Sequence, residues 1–160
     1  MRALEKINGK IEKLFTVVSV ILLTIFIFVV FIEVIARNVI KVPIIWSTEV
    51  SLMTFIWSVF LGSAIAVRKK RHYIVEIFPE QNFETLNVIF DIVADLAIFG
   101  IIYVMIFNGI TFAKMGLTRY STSLGLPQTY FFACIPVSGI AMAFFGLELL
   151  IKDIKRLSAK

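Results

Sequence analysis

Long stretches without charge constrain this chain more than any other feature of its sequence. Four of them, each at least 18 residues long, lie at residues 15–32, 50–67, 96–113 and 121–147. A helix needs about 20 mainly apolar residues to cross the roughly 30 Å hydrocarbon core of a bilayer. The pattern therefore predicts an all-α membrane protein with four transmembrane helices, forming a single membrane domain over residues 1–160.

The ends of these helices are predicted at about residues 14–36, 46–67, 83–113 and 128–151. The first follows a basic segment, as a signal peptide does, but its uncharged run exceeds the usual 7–15 residues and no A-x-A site ends it. We expect Ser47 or Thr48 to cap the second helix and Pro127 to occupy the first turn of the fourth. Pro136 is expected to bend the fourth helix.

The positions of lysine and arginine predict the orientation in the membrane. The 16 basic residues fall into five groups around the apolar stretches, and alternate groups place 12 on one side and 4 on the other. The more basic side faces the cytoplasm in most membrane proteins, so both termini and the central loop are expected there. The net charge of +5 thus follows from topology and does not suggest a nucleic acid as partner.

The central loop carries apolar residues on one helical face between His72 and Phe78, before Pro79. This pattern predicts a short interfacial cytoplasmic helix lying on the membrane between helices 2 and 3. An ordinary loop with exposed apolar side chains is the alternative, because one or two turns give weak periodicity.

Small side chains recur every fourth residue along the second helix, at Thr54, Ser58, Gly62 and Ala66. Such stripes let membrane helices approach closely. Shorter versions occur on the third and fourth helices, at Gly109 with Ala113 and at Gly139, Ala143 and Gly146. These stripes either close the chain's own bundle or, where the bundle leaves one uncovered, contact another subunit.

Few polar residues lie at membrane depth, and each is costly enough to need a partner. Glu33 and Arg37, four residues apart, can pair near Glu49, and we expect a local charge network, with a docking or proton-linked site as the alternative. Asp91 and Asp95 lie near the cations of residues 68–71, which they could pair with. A sodium or proton site is the other possibility for these two aspartates.

Several kinds of chemistry are not suggested by the sequence. It has no glycine-rich phosphate loop, and the single histidine, His72, excludes bis-histidine haem ligation within the chain. Cys134 is the only cysteine, so neither an internal disulfide nor a cysteine-based zinc site can be built. We therefore expect no cofactor, no metal and no enzyme activity.

One ordered set of residues resembles a known family. The set consists of Arg37, Trp46, Glu49, Trp57, the Leu-Gly-Ser-Ala of residues 61–64, His72 and Glu76, followed by Gly125-Leu-Pro127 and Pro136. It is similar to the DctQ-like small membrane subunit of tripartite ATP-independent periplasmic (TRAP) transporters and spans most of the chain. One departure is that Lys69-Lys70-Arg71 replaces the glycine-containing turn that usually precedes the histidine.

The resemblance implies a four-helix protein of the bacterial inner (cytoplasmic) membrane and a large transporter subunit as obligate partner. In that family the large subunit carries the substrate and sodium ions as an elevator, while a periplasmic binding protein delivers an organic acid such as a dicarboxylate or sialic acid. The small subunit would act as a scaffold in contact with lipid. The resemblance implies partner-binding or structural roles for Arg37, Trp46, Glu49, Gly62, His72 and Glu76. The stripe of small side chains adds Ser58 and Ala66 to this set, and we expect Arg37 and Lys41 to be docking candidates for the binding protein.

Two other functions remain open from the sequence. The chain could be a small homo-oligomeric ion-coupled transporter or channel acting alone, with Asp91 and Asp95 lining its path. It could also be the membrane anchor of a redox enzyme, which predicts bound haem or quinone.

Overall fold

The computed structural model describes residues 2–69 and 80–158, and it describes the backbone alone at residues 2–4, 80–92, 153 and 156–158. α1 (Arg2–Ile35) continues into a π-helical turn (Ala36–Ile40), and α2 (Ser47–Arg68) follows. α3 (Glu80–Met115) ends in a 3-10 turn (Gly116–Thr118), and the last two helices are α4 (Thr129–Phe132) and α5 (Cys134–Ser158).

Four segments are long and apolar enough to cross a membrane: Glu5–Ile40, Ser47–Arg68, Val93–Thr118 and Thr129–Lys152. The predicted all-helical fold with four transmembrane helices is confirmed. The first helix, however, begins about twelve residues before its predicted start. Apolar periodicity marks only the part of a helix that faces lipid, so it does not detect the polar first turns of α1.

The helices pack in the spatial order α1, α2, α5, α3, so the last helix of the chain lies between the second and the third. Within the described residues no Cα atom of α3 lies within 8 Å of one of α2. We call the end of the bundle where α1 begins and α5 ends the terminal end. The opposite end, which holds residues 36–49 and 116–129, is the turn end.

The small residues of α3 and α5 close the chain's own bundle. A Cβ atom added at Gly109 would lie 2.9 Å from Cγ2 of Ile135, and one at Gly139 would lie 3.1 Å from Cγ1 of Ile106. Both distances are shorter than ordinary van der Waals contact, so larger side chains would push the helices apart. Beside this seam the core is formed by Ala64, Val67, Ile102, Ala141, Met142 and Phe145.

The stripe predicted on α2 divides between two faces. Thr54 and Ser58 are buried, and the buried seam continues through Leu61 and Ala64. Gly62 has open space where a Cβ atom would be, and Ala66 is only half-buried. The reason is that a row of every-fourth residues winds around a helix of 3.6 residues per turn, whereas a neighbouring helix follows spacings of three and four.

The fourth membrane segment is interrupted at a single residue. α4 ends at Phe132 and α5 begins at Cys134, because Pro136 has no N–H to donate to the carbonyl oxygen of Phe132. Ala133 between them keeps helical dihedral angles, with a φ of −62° and a ψ of −21°, so the segment continues past the proline. Pro127 precedes the helix and forms a β-bridge with Tyr120 instead of lying in the first turn.

The predicted cap of α2 is wrong. Its N-cap is Trp46, which makes no side-chain hydrogen bond to the helix. The hydroxyl of Ser47 is buried and donates backwards to the carbonyl oxygen of Ile44 at 2.8 Å, away from the first turn of the helix.

Candidate functional site

Glu49 holds the loop between α3 and α4 at the turn end. Its Oε1 accepts from the hydroxyl of Thr122 at 3.0 Å and from the backbone N–H of Ser123 at 2.9 Å. Its Oε2 accepts from the backbone N–H of Leu124 at 2.8 Å. Hydrogen bonds to an ionised carboxylate are stronger than neutral ones, so this side chain joins the start of α2 to a loop more than 70 residues away.

The loop itself is a narrow hairpin. The N–H of Ser121 donates to the carbonyl oxygen of Leu126, and the N–H of Gln128 donates to that of Arg119, both at 2.8 Å. Gly125 turns the chain with a φ of 64°, a conformation that side chains disfavour. The glycine-leucine-proline sequence thus serves the turn that Glu49 holds.

The expected charge network of Glu33, Arg37 and Glu49 does not form. Within the described residues no ion pair joins Glu33 to Arg37, and the carboxylate of Glu49 is occupied by the loop. A π-helical turn begins at Ala36, between the first two residues, so the regular α-helical spacing does not extend to Arg37, which is left exposed.

Four cations of the turn end are exposed and belong to no ion pair in the part of the chain that the structure describes. They are Arg37, Lys41, Lys114 and Arg119. Trp46 lies at the same end and is 47% exposed. Because Glu49 is already satisfied by backbone donors, this end presents a basic surface.

Arg68 connects three helices at the terminal end. Its Nη1 donates to the carbonyl oxygen of Asn8 at 2.7 Å and pairs with Glu12 of α1. Its Nε lies 3.8 Å from Oε2 of Glu148 on α5, and the guanidinium lies 5.5 Å from the ring centroid of Phe145. The side chain is only 15% exposed, so it is a half-buried hub rather than a surface cation.

Further pairs complete this terminal cluster, which consists of Glu5, Asn8, Glu12, Arg68, Lys69, Glu148 and Lys152. Nδ2 of the fully buried Asn8 donates to Oε2 of Glu148 at 2.6 Å. Nζ of Lys152 lies 2.7 Å from Oε1 of Glu148 and 3.0 Å from Oε1 of Glu5. Nζ of Lys69 lies 3.5 Å from Oε1 of Glu12. Three acids thus face three bases.

The terminal cluster was missed by sequence reasoning, which assigned its cations to topology alone. The available signal was the spacing of Glu5, Asn8 and Glu12, which places three polar side chains on one face of a helix. Where a membrane helix continues beyond its apolar part with polar residues on one face, those residues are expected to pair with polar residues of another helix.

A groove runs between α2 and α3 over α5, and we call it the α2–α3 groove. It has a volume of about 410 Å³ and an almost entirely apolar lining. Its walls include Phe60 and Ser63 of α2 and Ala94 and Ala97 of α3, and its floor includes Met142 of α5. A smaller cavity of about 220 Å³ near the turn end is lined by Leu52 and Ile56, on the same face of α2. The two cavities therefore follow one another along the bundle.

The hydroxyl of Ser63 differs from the others in the middle of α2. Ser51, Thr54 and Ser58 each donate to a backbone carbonyl oxygen of the preceding turn. Ser63 makes no hydrogen bond to any residue that the structure describes. An unbonded hydroxyl at membrane depth is costly, so the groove carries one polar group that needs an acceptor.

Several predicted residues cannot be placed by the structure. His72 and Glu76, and with them the expected interfacial helix, lie outside the described residues, as does the side chain of Asp91. Asp95 is described and is 2% exposed. Among the described residues no group of three or more His, Cys, Asp or Glu side chains could hold a metal ion.

Comparison with known proteins gives consistent similarities. The sequence model of the family described as the DctQ component of tripartite ATP-independent periplasmic transporters matches residues 26–156. The chain is 24% identical over 148 residues to the sialic acid TRAP transporter small permease protein SiaQ of Vibrio cholerae, covering 92% of this chain and 84% of that one. It is 28% identical over 112 residues to the sialic acid TRAP transporter permease protein SiaT of Haemophilus influenzae, which covers 70% of this chain but only 18% of SiaT.

Proposed function

Because this chain belongs to the family of DctQ components of tripartite ATP-independent periplasmic transporters, we propose that it is the scaffold of a sodium-dependent organic acid symporter. The family consists of transporter components and is not a class of enzymes. In the proposed complex the chain stays fixed in the membrane while a large elevator-type subunit carries the substrate. The names of its relatives favour sialic acid over a dicarboxylate as the substrate class.

The observation that carries this proposal is the match to SiaT. The part of SiaT that is similar to this chain is only 18% of that permease, so a much larger remainder is joined to it covalently. In SiaT the segment similar to this chain is therefore one part of a longer permease. This supports the proposal that the small chain works together with a large subunit.

The α2–α3 groove is the face that we propose for this partner. Membrane helices associate through small residues and hydrogen bonds between helices, and the groove offers Ala94, Ala97 and the unbonded hydroxyl of Ser63. Gly62 and Ala66 do not line the groove, and we propose them as a second contact on a neighbouring side of α2. Ser58 is buried within the chain. Trp46 and Glu49 then shape the turn end, and His72 and Glu76 the connection between α2 and α3.

The packing order suits a scaffold. Helices in the order α1, α2, α5, α3 add width to the fixed part of a complex beside the partner. The terminal cluster joins α1, α2 and α5 through charged pairs, so that a force on one helix is shared by three. A wider fixed part resists being dragged when the substrate-carrying part crosses the bilayer.

Co-expression of the chain with the large subunit tests the scaffold. We expect the two to purify together in equal amounts and the large subunit to lose transport of the organic acid when the small chain is absent. A stable, transport-competent large subunit obtained without this chain would contradict the proposal. Reconstitution of the chain alone is expected to move no ions, and a measurable flux would favour the independent channel.

The basic turn end is the proposed docking surface for the periplasmic binding protein, with both termini in the cytoplasm. Reversing the charge of the exposed pair Arg37 and Lys41 to glutamate is expected to lower binding-protein-dependent uptake severalfold, because complementary charge speeds association. The matched control changes Arg37 to lysine and Lys41 to arginine, which keeps both charges, and should leave uptake dependent on the binding protein unchanged. Equal uptake by both variants, measured in proteoliposomes, would exclude this surface.

A further inference from the structure

Charge is divided between two sides of α1 at the terminal end. Glu5, Asn8 and Glu12 face α2 and α5 as members of the terminal cluster. Lys6, Lys10 and Lys13 are exposed and form no ion pair with any described residue. Their spacings of four and three place these lysines on one side of the helix, opposite the acids.

The same side of α1 continues as an apolar surface through the membrane segment. Val17, Val20, Phe28 and Phe31 follow the lysines at helical spacing, and each is more than half exposed, with Phe28 the most at 62%. The hydroxyl of Thr24 on this face donates to the carbonyl oxygen of Val20 at 2.8 Å, so it needs no outside partner. This face therefore exposes no unbonded polar group to the hydrocarbon of the bilayer, whereas the α2–α3 groove exposes the hydroxyl of Ser63.

The charge on this face is complementary to a phospholipid headgroup. The acids Glu5, Glu12 and Glu148 are all engaged with Arg68, Lys69 and Lys152, so none is available to the three lysines. From this arrangement we infer that α1 binds anionic phospholipid, with the phosphate held by Lys6, Lys10 and Lys13 and an acyl chain along Val17, Val20 and Phe28.

The expected strength of this preference follows from ordinary membrane electrostatics. A lysine near an anionic bilayer surface contributes a preference of roughly fivefold, and the effect is screened over about 8 Å at physiological salt. At low salt, three lysines on one face should thus give a stronger preference for anionic over zwitterionic lipid than a single lysine gives. The inference does not depend on the scaffold function or on the large subunit.

Lipid selectivity of the purified chain tests the inference. The chain is reconstituted in phosphatidylcholine, and electron spin resonance compares the immobilised fractions of spin-labelled phosphatidylglycerol and phosphatidylcholine. We expect a severalfold preference for phosphatidylglycerol that falls as salt is raised to about 1 M, where the screening length is about 3 Å. The variant with Lys6, Lys10 and Lys13 all changed to glutamine is expected to lose most of that preference.

The matched control removes the same amount of charge from the turn end, by changing Lys41, Lys114 and Arg119 to glutamine. These residues are also exposed and unpaired within the described part of the chain, but they lie on three separate segments rather than on one helix face, so their loss should lower the preference much less. Equal selectivity in both triple variants, or an equal loss in both, would overturn the inference. Should the first triple variant fail to fold, Lys10→Gln alone is expected to lower the preference measurably, and an unchanged value would count against the site.

Discussion

The Ser63→Trp variant is expected to lose copurification with the large subunit by tenfold or more. An indole ring at this position fills the α2–α3 groove, whose volume is about 410 Å³, and excludes a partner helix from it. The bundle itself should stay folded, because the groove lies between helices with no Cα atoms within 8 Å of each other in the described residues. The measurement is the amount of large subunit retained on the tagged small chain.

Two controls make this experiment specific. Val17→Trp places the same ring on the exposed face of α1 and should leave copurification unchanged. Ser63→Ala removes only the hydroxyl, and a weaker complex is expected, since hydrogen bonds between membrane helices average about 0.6 kcal/mol. Full retention in Ser63→Trp would place the contact elsewhere and leave the scaffold function standing, whereas no copurification of the unaltered chain would contradict the function itself.

The Arg68→Ala variant is expected to be destabilised by about 1–3 kcal/mol, because removing a shared cation leaves two carboxylates only partly compensated, by Lys69, Lys152 and Asn8. Here two carboxylates, Glu12 and Glu148, would lose their shared cation. Thermal unfolding in detergent, followed by tryptophan fluorescence, should show a lowered midpoint. Arg37→Ala, at an exposed position without an ion pair in the described residues, is the control and should unfold as the unaltered chain does.

A second variant separates the loss of the pair from the loss of packing. Changing Arg68 to methionine together with Glu12 and Glu148 to glutamine removes the uncompensated charges and keeps most of the side-chain volume. Uncharged replacements of buried ion pairs are often neutral for stability, so this variant should recover much of what Arg68→Ala loses. If Arg68→Ala unfolds at the unaltered midpoint, the terminal cluster contributes nothing to stability.

The membrane-spanning helices could be predicted because long uncharged stretches report directly on the thickness of a bilayer. The start of α1 could not be predicted in the same way, since residues 2–13 have no long uncharged stretch and their polar side chains find partners on α2 and α5. The partners of Asn8 are 136 and 140 residues away in the chain. Periodicity within one helix contains no information about which distant helix packs against it.

The predictions for single side chains show a second limit. Glu33 and Arg37 have the spacing of a helical pair, yet a π-helical turn beginning at Ala36 intervenes, and such turns have no strong sequence signal. The carboxylate of Glu49 was expected near charges and instead accepts backbone N–H groups of a loop 74 and 75 residues away. Whether a carboxylate such as that of Glu49 pairs with a cation or accepts from backbone N–H groups depends on which of them the fold brings near it.

The central position of α5 has a consequence for the order in which the protein can be built. Chains are synthesised from the N-terminus, so α1 and α2 can pair early, whereas α3 reaches the membrane before the helix on which it packs exists. The helix made last supplies the contacts that join the first two to the third. The contacts that join α3 to the first two helices can therefore form only after α5 has been made.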